Sequence, residues 1–329
     1  MYTAMTNHSN DRPLSAQTEA GRSEAVRFFS EGSAFLIYTH NVPDGDTLGS
    51  AAALVLGLRA LGKTAFAWNR DGIPTNLSFL NEGEPFLACP PDEERKAFRL
   101  VSVDVASDKM ISPEDRMVFD LSIDHHAGCT IPCRLLYREP TYPAAGQMVF
   151  EILKDLGVPM SREIASALYA AVSSDTGGFR YDSTMPSTMR AAAELLETGI
   201  DFARINRLLF DCKSVPQTKI EGVAGGKVRL FYGGLFAMFR LTEEEIRSCG
   251  ALEEDMVGLN DIPRRIAGVE LSAFIRPRQD TLKCSFRSND KANAGRLAES
   301  LGGGGHFHAA SFCLPSADLT PEEMEALVL

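Results

Sequence analysis

The chain reads as an α/β protein of two domains, a parallel-sheet domain followed by a smaller mixed-sheet α/β domain. Three observations predict this. Its 329 residues and 44% apolar content are enough to bury two cores. Over the first half, short apolar runs alternate with helix-like runs, the signature of βαβ units and a parallel sheet. Beyond about residue 218 the texture changes to apolar runs paired around glycine and polar turns, as hairpins require.

Taken in order, residues 1–22 are polar and aperiodic and are read as a flexible tail, with a helix following at Ser23 to Ser30. Ala34 to Thr39 is a buried strand, Leu48 to Leu61 a helix stopped by Gly62, and Thr64 to Trp68 a second strand. Leu100 to Val105 and Met117 to Ile123 are further short strands, each delivering a carboxylate at its carboxyl end. Helices are predicted at Ala144 to Leu156, Arg162 to Ser173, Ser187 to Glu197 and Asp201 to Phe210. The polar "DCKSVPQTK" then reads as a hinge. "KVRLFYGGLFAMFRL" gives two strands around Gly233 and Gly234, and "GVELSAFIRPRQDTLKCSFRS" two more around a turn.

Composition excludes several classes. No run approaches a membrane span and the start lacks a secretory apolar core, so a cytoplasmic protein is expected. Seven scattered cysteines without a C-x-x-C pair argue against disulfides or a zinc ribbon; of these only Cys129 and Cys133, close behind two histidines, are conceivable metal ligands. With 33 basic and 44 acidic side chains the net charge is −11, the wrong sign for coating long nucleic acid. Any phosphate-bearing partner is therefore small or met locally. The local exception runs from Ile262 to Arg296, where eight Lys/Arg stand against three acids; a solvated face is the bland account of that surplus.

Four patches carry chemistry. His40, Asp44 and Asp46 lie in "THNVPDGDTLGS", Asp104 in "VSVDVAS", Asp124, His125 and His126 in "SIDHHAG", and Asp175 in "SSDTGGFRY". Asp44 and Asp46 alone could be a turn and a helix cap. Gathered beyond the carboxyl ends of parallel strands, however, these groups would raise one another's pKa unless a cation joined them. Their carboxylate and imidazole donors suit manganese or a similar divalent ion. A fifth patch, "SLGGGGHFHAASF", places four glycines before His306. Its apolar, helix-like flanks fit a flexible linker poorly, whereas backbone without β-carbons can approach a phosphate closely.

In this order the motifs resemble those of the DHH phosphoesterase family, within the RecJ-like superfamily, and most of all its stand-alone nanoRNase/pAp-phosphatase branch. The resemblance runs from about Phe28 and rests on "THNVPDGDTLGS", "IDHH", "SDTGGFRY" and "GGGGHFHAA". It implies a catalytic domain at 23–198, a helical linker or hinge at 199–217 and a DHH-associated substrate-binding domain at 218–329 that closes on the substrate. It implies two manganese ions about 3.5–4 Å apart, with Mg2+ or Co2+ as substitutes, and a shared water that attacks phosphorus. His40, Asp44 and Asp104 would hold one ion and Asp46, Asp104, His125 and Asp175 the other. His126 would face the substrate phosphate, and Asp124 would orient a histidine. Gly303, Gly304, Gly305 and His306 would bind the distal nucleotide, assisted by Arg287 and Ser288 and, less directly, by Arg278. Departures from the family pattern are Ser311 and His308 near the end of the glycine motif, and Cys129 where an Asn is common.

The expected activity is hydrolysis of short RNA oligomers to nucleoside 5′-monophosphates, with removal of the 3′-phosphate from pAp as a second activity. Substrates are then short oligonucleotides, pAp or pApA, with no long duplex and no membrane partner; a homodimer is compatible. The competing readings are a pApA or cyclic-dinucleotide phosphodiesterase and, from another class, a catalytically silent nucleotide-binding module.

Overall fold

In a computed structural model of the protein, which describes residues 17–88, 97–305, 307–315, 323 and 328, the chain divides into two compact units, before and after the Cys212–Lys213 bond. The first unit comprises β1 (Thr18–Ala20), α1 (Arg22–Glu31), β2 (Ala34–Tyr38), α2 (Gly45–Ala60), β3 (Thr64–Trp68), β4 (Arg99–Val103), β5 (Phe119–Asp124), β6 (Cys133–Arg138), α3 (Ala145–Asp155), α4 (Arg162–Asp175), α5 (Pro186–Glu197) and α6 (Phe202–Asn206). Its six strands are all parallel in the order β1-β6-β5-β4-β2-β3. The expected α/β class with a parallel first sheet is therefore what the chain adopts.

The central strands β2, β4 and β5 are buried on both faces, side chains alternating across the pleat. Phe35 and Ile37 of β2 join the core formed with α2, α3 and α4, while Leu36 and Tyr38 face the opposite layer with Trp68, Phe119 and Leu136. Helix α2 is apolar almost all round and most of its residues are buried, as befits a helix enclosed by β3, α3 and α4. Its Gly49 lets α4 come close: a β-carbon there would stand 2.5 Å from the Ala167 carbonyl oxygen. That approach brings the start of α2 near the end of α4.

Three sequence expectations change. Thr18–Ala20, read as the end of a flexible tail, form the edge strand β1, held by parallel pairing of Thr18 with Leu135 through Ala20 with Tyr137. Strand β6 has no counterpart among the predicted elements, since "CRLLYR" lacks clean alternation. The helix expected through Phe210 is shorter: α6 ends at Asn206 and a π-type turn spans Arg207–Asp211.

The second unit contains α7 (Val215–Gly226), β7 (Arg229–Phe231), β8 (Phe236–Arg240), α8 (Glu243–Ser248), α9 (Asp261–Arg264), β9 (Leu271–Arg278), β10 (Thr281–Ser288), α10 (Ala294–Ser300), β11 (Gly304–Gly305) and β12 (Ala309–Pro315). Most of the "DCKSVPQTK" segment is thus the start of a helix, with Ser214 accepting from the Gln217 amide as its cap. The sheet order is β11-β12-β10-β9-β8-β7, antiparallel except for β8 beside β9, which makes it the expected mixed sheet. Phe286, Phe312 and Ala298 pack one face, while Phe239, Phe274 and Ile220 pack the other. Among the described residues no helix is long and apolar enough to cross a membrane.

Candidate metal centre

The order β3-β2-β4 fixes where the polar groups meet. The chain leaves β2 toward β3 and then crosses back over β2 to β4, so the carboxyl ends of β2 and β4 flank a topological switch point. His40, Asp44 and Asp46 follow β2, Asp104 follows β4, and Asp124 through His126 close β5. Asp175, the last residue of α4, reaches the same place. Three groups of side chains there could each hold a metal ion: His40, Asp44 and Asp104; Asp46, His125 and Asp175; Asp104, His125 and His126.

Asp104 lies at the centre. Its Oδ2 is 3.6 Å from His40 Nε2, and its Oδ1 is 3.5 Å from His125 Nε2 and 3.6 Å from His126 Nδ1. The backbone there has φ +59°, a left-handed conformation that is strained for a non-glycine residue, while its amide still donates to the Ile123 carbonyl. His125 Nε2 stands 3.2 Å from Asp175 Oδ2 and 3.8 Å from Asp46 Oδ2. His40 Nε2 is 3.7 Å from Asp44 Oδ1.

Backbone groups aim these side chains. His40 Nδ1 donates to the Asn41 carbonyl (2.8 Å) and His125 Nδ1 to the Tyr142 carbonyl (3.3 Å), so both rings turn Nε2 toward the carboxylates. Neither carbonyl is legible in sequence, because any residue type supplies one. Asp44 caps α2, accepting from the amides of Asp46 and Thr47; the capping role and proximity to His40 coexist. Asp46 accepts from Ser50 one turn along α2, and from the amides of Ala145 and Gly146 at the start of α3. Asp124 accepts from both the amide and the Nδ1 of His126, each at 2.8 Å.

Burial and mutual repulsion leave their mark on the titrations. Asp46 is raised well above the ordinary carboxylate range by burial and by Asp104 and Asp175. Asp175 is also raised, by burial, although the neighbouring His125 ring opposes the shift. Burial would by itself lower His40 and His125, yet their carboxylate partners, Asp104 foremost, push them up to about 11 and about 12. His126 is raised by its hydrogen bond to Asp124. Asp104 Oδ1 and His125 Nε2 are buried with no hydrogen-bond partner among the described residues. Such orphaned groups are costly, and a divalent cation would satisfy both. Cys129 and Cys133 are both buried in the apolar layer opposite α2, with their thiols pushed up to about 12 and about 11 by burial, so neither presents a thiolate.

In the second unit, Gly304 and Gly305 form β11 and pair with Ser311 and Ala310, so the glycine run is a strand of the sheet and not a linker. A β-carbon at Gly303 would lie 2.2 Å from the Ser311 carbonyl oxygen and one at Gly305 2.5 Å from that of Ala309, whereas Gly304 faces open space. Ser288 Oγ lies 3.0 Å from His308 Nδ1, bringing the unexpected histidine onto a predicted substrate residue. Arg287 pairs with Ala309 across β12 and so lies at this end of the sheet. Arg278 does not join them. It pairs with Thr281 at the other end of β10, roughly 20 Å from Arg287 at the strand rise. His306 lies outside the described residues.

Comparison with known proteins adds an independent line. The sequence model of the DHH family, N-terminal domain, matches residues 34–172, and that of the DHHA1 domain matches residues 250–328. The chain is 35% identical over 286 residues to the "Bifunctional oligoribonuclease and PAP phosphatase NrnA" of Thermus thermophilus, covering 86% of this chain and 85% of that one. A protein of the same name from Bacillus subtilis is 26% identical over 308 residues, covering 90% and 94%. Among solved structures, an exopolyphosphatase-related protein from Bacteroides fragilis superposes with a TM-score of 0.82 at 25% identity, covering 93% and 94%. Both its sequence, matched over 86% of its length at 35% identity, and the two domain models along it agree that the chain belongs to the DHH family.

Proposed function

We propose that the chain is a metal-dependent phosphoesterase that hydrolyses short RNA oligonucleotides to nucleoside 5′-monophosphates and pAp to AMP and phosphate, in a cytoplasmic setting. The observation that carries this reading is Asp104: its two oxygens face two different histidines, as a carboxylate shared by two ions must. His40, Asp44 and Asp104 would hold one divalent ion, and Asp46, Asp104, His125 and Asp175 the other, manganese being the natural choice for this mixed carboxylate and imidazole set. Ions held there supply an acidified water for attack on phosphorus and neutralise the phosphate charge. The names of the relatives support the substrate class.

The chain's own groups do the rest. His126, whose protonated form the hydrogen bond to Asp124 favours, donates to a phosphate oxygen or to the leaving oxygen. Gly304, with its open side, together with Gly303, Gly305, His306, Arg287 and Ser288, grips the distal nucleotide. The units on either side of Cys212 thus divide the work into chemistry and substrate binding.

The test is hydrolysis of end-labelled di- to pentaribonucleotides and of pAp, with and without Mn2+. Wild type should release nucleoside 5′-monophosphates only with the metal. Asp104→Ala should abolish turnover while circular dichroism and the melting curve stay those of a folded protein. Intact dinucleotides alongside consumption of pyrophosphate or of a cyclic dinucleotide would overturn the substrate assignment, and an active Asp104→Ala variant would overturn the shared ligand.

A further inference from the structure

The hairpin end of β9 faces a cavity of about 450 Å³ that the reaction above does not use. Arg247 of α8 and Arg276 and Arg278 of β9 line it, and among the described residues of its lining only Glu243 and Glu253 carry negative charge. Arg276 is nearly buried, with its side chain 10% exposed, and is held by both oxygens of Glu253 at 2.7 and 2.5 Å. The same carboxylate lies 3.7 Å from Arg278 Nε and is itself 59% exposed, so it can swing away. Lys283, opposite Arg276 in the register, has its ammonium pKa lowered by burial and by Arg278 and Arg276, as expected beside surplus positive charge. Leu252, which is largely exposed, and Met256 give the cavity an apolar wall.

Guanidiniums around an open, half-apolar hollow of this size match a small phosphate ester. We propose that this cavity is a second anion site that takes a nucleoside monophosphate, with its phosphate on Arg247, Arg276 and Arg278 and its base against Leu252 and Met256. Glu253 holds Arg276 in place until the phosphate displaces it. The site lies at the opposite end of β10 from Arg287, so it is not the grip on the substrate.

Equilibrium dialysis of AMP against the full-length protein carrying Arg287→Ala, which silences the proposed substrate grip, is the test. AMP should bind, and adding Arg247→Gln with Arg278→Gln should weaken binding at least tenfold. Glu253→Gln, which removes the competing carboxylate and leaves the arginines in place, should tighten it severalfold. Absence of AMP binding, or an affinity unmoved by the arginine pair, would overturn the site. If the double variant proves misfolded by circular dichroism, Glu253→Gln decides alone, and unchanged affinity there refutes the proposal. Inorganic phosphate binding as tightly as AMP would refute the nucleotide assignment.

Discussion

Asp104 combines a strained backbone with two imidazole neighbours, one on each oxygen. A left-handed φ on a non-glycine residue costs on the order of 1–3 kcal/mol and persists only where the surroundings fix it; here it turns the carboxylate between His40 and His125. The residue types of this cluster were legible in the sequence, as was their order. Their spacing in three dimensions was not, because it depends on the Asn41 and Tyr142 carbonyls and on amides at the start of α3. The titrations yield a prediction at this scale. With His40 raised to about 11 and His125 to about 12, the metal-free protein at pH 8 carries an extra proton on each ring. A cation that binds through Nε2 must expel both, so its affinity rises with pH and falls as the solution is acidified. Calorimetric titration with Mn2+ at pH 8, in two buffers of different protonation enthalpy, should return at least about two protons released per protein, since Asp46, raised as well, adds to the two imidazoles. If no protons are released, the imidazoles are not ligands.

Helix α2 links packing to the site, since it carries Asp46 on its first turn and meets α4, which ends in Asp175, along its length. Its glycines are not equivalent. Alanine at Gly49 would drive a β-carbon against the fixed Ala167 carbonyl at 2.5 Å, whereas at Gly57 it would meet Leu153 Cδ2 at 2.6 Å, the free end of a flexible side chain. Gly49→Ala should therefore destabilise the protein by about 1–3 kcal/mol and weaken metal binding by parting the two helices. Gly57→Ala should change stability by less than about 1 kcal/mol, because the helix-propensity gain offsets the repacking of Leu153. Urea unfolding midpoints of the two variants check this, and equal losses would mean that the α2–α4 approach is not what Gly49 serves. The buried strands and long helices could be read from periodicity, β3 to the residue. Strand β1 could not, since "TEA" has no apolar pattern and is held by backbone pairing with β6 and the Glu19–Arg138 ion pair, and the π-type turn after α6 has no signal in a run that keeps its helix formers.

At the scale of the molecule, a net charge of −11 coexists with a local surplus of basic side chains between Ile262 and Arg296, so phosphate attraction is local rather than global. Long polymers gain little from such a surface, while a substrate of a few nucleotides needs only the local groups. The structure separates those groups into two ends of one hairpin, Arg287 with Ser288 at one and Arg276 with Arg278 at the other, a division that a linear count of basic residues cannot reveal. If Arg287 holds the distal nucleotide, its loss should be felt only by substrates that possess one. A charge-assisted hydrogen bond contributes about 1.5–3 kcal/mol, so Arg287→Ala should raise KM for a dinucleotide at least about tenfold with kcat much less affected. Hydrolysis of a small chromogenic phosphodiester, which lacks the second nucleotide, should change by less than about threefold in the same variant. Parallel losses on both substrates would place the effect at the reacting phosphate or in the fold, and Arg287 would then have no part in reading substrate length.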